Sequence, residues 1–135
     1  MRPLLLATIL NASILHPGQA APENRWEEAI RAFEQQDREA SAPEGAILFL
    51  GSSSIRLWDL ARHFPDLVTI NRGFGGSSIA DSVEFATRVA LPYKPKTIVF
   101  YAGDNDIASG KTPETVFEDF KKLVAILHKS LPKTR

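Results

Sequence analysis

Three short runs, AILFLG (46–51), VTINRG (68–73) and TIVFYAG (97–103), are almost continuous in apolar and β-branched residues. Such runs suit strands covered on both faces, and the segments between them have a different period. In SIRLWDLARHF (54–64), Ile55, Trp58 and Ala61 fall on one helical face. In SSIADSVEFATRVAL (77–91), Ile79, Val83, Ala86 and Val89 do the same, and Ser78 with Asp81 has the spacing of a capping box. After the third run, Thr112 and Pro113 stand in the cap and first-turn positions of a long helix, with a stripe from Val116 through Phe120 and Val124 to Leu131. No hairpin signal separates any two strands, which predicts right-handed crossovers and a parallel sheet with helices on both faces. The expected fold class is α/β, in three α/β/α layers.

Two segments precede this pattern. From Pro22 to about Glu39, Trp26, Ala29, Ile30 and Phe33 recur at helical spacing, which predicts an amphipathic helix ended by Pro43 and Gly45. Residues 1–20, MRPLLLATILNASILHPGQA, have a basic start at Arg2, a short apolar run and a small-residue end. That is the layout of a secretory signal cleaved after Ala20, and the run is shorter than the about 20 residues of a membrane span. The expectation is a signal peptide over 1–20, one domain over 21–135, no stable membrane anchor, and a periplasmic or secreted protein. Sixteen basic residues balance sixteen acidic ones, so no net field favours nucleic acid. The absence of cysteine excludes a disulfide or a thiolate metal site within the chain.

In an open parallel sheet, ligands bind outside the carboxyl ends of the strands. Polar clusters follow all three predicted strands there: Gly51-Ser52-Ser53-Ser54, the glycine-rich NRGFGGSS (71–78), and AGDNDIASG (102–110). Each alone reads as caps and turns. Together they can perform acyl transfer: a serine hydroxyl attacks an ester carbonyl, and backbone N–H groups with an asparagine amide stabilise the oxyanion. Asp104 and Asp106 with Asn105 could instead hold a metal, but no histidine stands near them in the sequence. The glycines could cradle phosphate, although neither a Walker pattern nor a dinucleotide fingerprint is present.

FLGSSSI, NRGFGGSS and AGDND resemble the first three blocks of the SGNH (GDSL-type) hydrolases, and KPKTIVFYAGDND is similar to members related to the platelet-activating-factor acetylhydrolase subunits. The resemblance runs from about Ala46 to Arg135. It implies a flavodoxin-like sheet and a serine ester hydrolase that acts on a small-molecule ester without a cofactor; with the signal-like segment, the expectation is an exported enzyme. Carried over by position, Ser53 is the nucleophile, and Gly76 and Asn105 supply oxyanion donors alongside the Ser53 N–H. Ser52 stands where many members have aspartate.

The family's last block, Asp-x-x-His, has no counterpart, and the resemblance implies a domain incomplete at its carboxyl end. His16 falls in the predicted signal. Along ideal helices, His63 would lie about 14 Å and His128 about 22 Å from the active edge, against a needed reach of about 3 Å. Two other readings stay open: a non-catalytic binding module with the same pocket, and a flavodoxin-like phosphate or nucleotide binder.

Overall fold

The computed structural model describes residues 24–135; the predicted signal segment and His16 lie outside the described residues. Helix α1 (Glu27–Glu39) leads into β1 (Ile47–Gly51), followed by two short helices, α2 (Ser53–Arg56) and α3 (Leu60–His63). Next come β2 (Thr69–Gly73), α4 (Ile79–Val89), a 3₁₀ turn at Leu91–Tyr93, β3 (Thr97–Tyr101), α5 (Asp104–Ala108) and α6 (Pro113–Ser130). The sheet is parallel in the order β2-β1-β3, with Ile47 opposite both Thr69 and Thr97.

This order follows from crossover handedness. The chain moves from β1 to β2 in one direction and then passes back over β1 to reach β3. Two right-handed crossovers in opposite directions must lie on opposite faces. Strand alternation gives each face its own core. Leu48, Leu50 and Ile70 pack with Phe74, Phe85, Val89, Leu123 and Leu127 beneath α1, α4 and α6. Phe49 packs with Ile55 and Leu60 on the other face. The fold is the expected three-layer α/β arrangement.

Three local expectations are corrected. The single helix over 54–64 is two helices, because Asn71 of β2 donates through Nδ2 to the Ile55 carbonyl at 2.7 Å. Asp59 then caps a new start by accepting the Arg62 N–H at 3.1 Å. The loop after β3 contains α5. Lastly, β3 is not covered on both faces: Thr97 to Phe100 are half-buried and Tyr101 is 52% exposed. Beside it, Phe117 and Ile107 are also exposed and line an apolar groove with Phe100 and Val116. At the outer edge of β3, Arg135 donates its N–H to the Lys96 carbonyl at 3.1 Å and accepts from the Ile98 N–H at 2.7 Å. That is the bonding pattern of a parallel ladder opposite Thr97.

Helix α1 is held by side-chain ion pairs as well as by buried Ile30. Arg88 of α4 donates to Glu34 at 2.6 Å and to both carboxylate oxygens of Glu27 at 2.8 and 3.0 Å. These bonds hold both carboxyls below their ordinary value of 4.5. Arg72 of β2, 6% exposed, bonds Asp37 of α1 and the Tyr93 hydroxyl. Burial pushes that hydroxyl up to about 12.

Candidate active site

The polar clusters gather at the carboxyl edge, where the crevice between β1 and β3 is the point at which the strand order reverses. Gly51 ends β1 at φ +147°, and a Cβ there would overlap the Tyr101 carbonyl oxygen, so only glycine fits. The turn it permits lets the Ser52 N–H donate to that carbonyl at 3.0 Å, while the Gly51 carbonyl accepts from Phe74 N–H at 3.0 Å. The Gly51–Ser52 peptide thus joins the ends of β1 and β3 to the glycine-rich loop.

Ser52 is fully buried, with Oγ 3.5 Å from Asp104 Oδ1. Ser54 is exposed. Ser53, between them, opens α2 and is half-buried, and among the described residues its Oγ has no hydrogen-bond partner. The three serines therefore differ in environment. One is bound inward, one faces solvent, and one presents a free hydroxyl to a groove.

That groove, of about 610 Å³, is lined by Ser53, by Gly73 to Gly76 and by one side of α1. Gly76 stands on it at φ +78°. Trp26, the residue before α1, packs edge-on against buried Phe74 at 5.9 Å, which fixes the start of the helix against the loop. Asn105 joins the loop from the other side: its Nδ2 donates to the Ser77 carbonyl at 2.9 Å. Ser53 and Gly76 therefore share the groove, and Asn105 is bonded to the residue after Gly76.

Asp106 is a residue whose part the sequence reading did not find. It is fully buried, accepts the Ile79 N–H at 3.0 Å and pairs with Lys111 at 2.8 Å. Lys111 is raised from its ordinary value first by Asp106, and it also bonds Asp119 of α6. Ile79 is the first residue of α4, whose cap Ser78 makes the predicted box with Asp81. Asp106 thus ties α5 to the segment that carries Gly76 and Ser77. The signal in the sequence was Lys111, five residues on, which is in reach only because α5 turns the chain back. Asp104 and Asp106 point to different partners, Ser52 and Lys111, rather than to a common centre.

Among the described residues, neither histidine is hydrogen-bonded to Ser53. His63 belongs to the separate helix α3, so the single-helix distance no longer applies. Its Nδ1 lies 2.7 Å from the Asp59 carbonyl, and its ring meets Trp58 edge-on. His128 is exposed in the last turn of α6, fifteen residues after Pro113 and about 22 Å along the helix.

No family model and no curated protein matches the chain. Solved structures do. A proposed platelet activating factor from Streptococcus pneumonia superposes with a TM-score of 0.71 at 21% identity, covering 80% of this chain and 51% of that one. A GDSL-like lipase from Bacteroides thetaiotaomicron gives 0.68 at 17% identity, covering 78% and 55%. The SGNH-hydrolase family esterase AlinE4 gives 0.53 at 20% identity, covering 66% and 56%. The chain spans about half the length of the solved structures it matches. Over that span its fold is that of the SGNH (GDSL-type) hydrolases.

Proposed function

We propose that the protein is a serine ester hydrolase in which Ser53 is the nucleophile. The N–H groups of Ser53 and Gly76 and the Nδ2 of Asn105 are the oxyanion donors. The observation that carries this reading is the bond from Asn105 Nδ2 to the Ser77 carbonyl. It fixes which end of the amide faces the glycine loop and leaves one N–H of Nδ2 for a substrate oxygen. Ser53 Oγ attacks the ester carbonyl, the carbonyl oxygen takes the negative charge, and the donors stabilise it. Collapse of the intermediate expels the alcohol, and water then releases the acid from the serine.

The proton of Ser53 needs a base within about 3 Å. Neither His63 nor His128 is hydrogen-bonded to Ser53, which favours a base contributed from outside these 135 residues, and the half-length coverage of the matched structures supports that. Export through cleavage after Ala20 is part of the same proposal and rests on residues 1–20 alone. A fluorophosphonate probe tests the central claim. The full-length protein should be labelled at Ser53 and lose ester hydrolysis in Ser53→Ala. Hydrolysis that survives Ser53→Ala would overturn the reading.

A further inference from the structure

We propose that the groove beside Ser53 binds an ester bearing an anionic oxoacid group, a phosphate or a carboxylate, held by Arg25 and Arg56. The apolar part of that substrate lies along Trp26, Ala29 and Phe33. This inference rests on the ester-hydrolase reading only for the fate of the substrate; the binding itself can be tested separately.

Both arginines line the groove. Arg56 follows Ser53 by three residues on α2, which puts the two on neighbouring positions of one helical face. Its side chain lies against the glycine loop: a Cβ on Gly75 would stand 2.7 Å from Arg56 Nε and 3.1 Å from both Cζ and Nη2. A Cβ on Gly76 would stand 3.3 Å from Arg25 Nη2. Gly75 and Gly76 are consecutive, so the two guanidinium groups lie beside adjacent residues of the loop and share one groove.

Like charges gathered in this way repel, and among the described residues neither has an ion-pair or hydrogen-bond partner. By contrast, the arginines that hold the fold, Arg72 and Arg88, are bonded to carboxylates. Arg25 stacks over Trp26, 4.0 Å from the ring centroid, which fixes its plane and leaves its N–H edge to donate. The forked donors of a guanidinium match the oxygens of a carboxylate or a phosphate. Among the described residues, Glu28 is the one acidic side chain along the groove, and it pairs with neither arginine. The apolar wall beside these charges gives the site two halves, and an amphiphile fills both.

Calorimetric titration of the full-length protein with hexyl phosphate, hexanoate, hexanol and inorganic phosphate tests this. Hexyl phosphate should bind about tenfold or more tightly than hexanol, as charge-assisted hydrogen bonds require. Arg25→Gln combined with Arg56→Gln should remove that preference. Arg25→Gln alone, at an exposed position, should weaken it in a protein that still folds. Glu28→Gln should tighten hexyl phosphate. Equal binding by hexanoate would identify a shared oxoanion site, whereas preference for hexyl phosphate over hexanoate would identify phosphate. The proposal is overturned by equal affinity for hexyl phosphate and hexanol, by a preference that survives in the arginine variants, or by inorganic phosphate binding as tightly as hexyl phosphate. Ester hydrolysis without anion preference would sink this inference and leave Ser53 its role; anion binding without labelling at Ser53 would do the reverse.

Discussion

Asn105 and Ser77 are joined by a 2.9 Å hydrogen bond from the amide of one to the main-chain carbonyl of the other, across the gap between the β3 and β2 loops. The contact holds the amide with its nitrogen toward the loop, the orientation an oxyanion donor requires. Asn105→Ala should lower kcat of the full-length protein by about 10²–10³ with little change in thermal midpoint. Steady-state kinetics beside a melting curve would check it; an unchanged kcat would take Asn105 out of the mechanism.

The three adjacent serines should separate cleanly. Ser53→Ala should abolish turnover, and exposed Ser54→Ala should leave it near wild type. Ser52→Ala should keep much of it, because its Oγ has only a 3.5 Å contact with Asp104 to lose. Initial rates on a short-chain ester distinguish the three, and equal losses would mean that the motif is a structural cap.

Gly51→Ala should destabilise the domain by about 3 kcal/mol or more, since the backbone there is strained for any side chain and the new methyl meets the Tyr101 carbonyl. Urea unfolding measures this. A loss below about 1 kcal/mol would mean that the β1–β3 junction yields easily.

The attachment of α1 should weaken in acid. Glu27 and Glu34 titrate below 4.5 because Arg88 hydrogen-bonds them, so the folded state binds fewer protons than the unfolded chain as they titrate. Their stabilisation is present above the unfolded value and lost as pH falls through the lower, folded one. Arg88→Gln should lower the thermal midpoint at neutral pH and flatten its dependence on pH below 4.5. Parallel curves for the two proteins would show that the clamp contributes nothing that depends on pH.

Among the described residues only Arg135 pairs with the outer edge of β3, and Tyr101 and Phe117 are exposed nearby. An unpaired strand edge next to apolar surface is a template for association. The 135-residue chain alone should self-associate and hydrolyse esters only weakly. Light scattering across a dilution series, with an ester assay on the same samples, tests both; a monomer with full activity would mean that a base for Ser53 lies within this chain.

What was legible in the sequence follows from periodicity. The β-branched runs marked all three strands, and Ser78, Asp81, Thr112 and Pro113 marked helix starts that the structure keeps. The break between α2 and α3 was not legible, because its cause is Asn71, a partner thirteen to sixteen residues away that takes helix carbonyls for itself. The inward turn of Asp106 was hidden for the same reason, since the N–H it accepts belongs to Ile79, 27 residues away at the start of α4. The apolar stripe of α1 foretold that the helix would be buried on one side; it could not foretell that Trp26 would also wall a groove. Nearest-neighbour patterns report faces, and sites are assembled from several faces at once.

Helix α1 shapes that groove, yet Ser53, Gly76 and Asn105 all lie elsewhere, on the segments that follow the three strands. Under the proposed roles, the apolar wall of the groove and the reacting groups belong to separate stretches of chain. On the proposed reading, a change at Ala29 or Phe33 would redraw what fits without moving a reacting group, so new substrates could be explored at low risk to turnover.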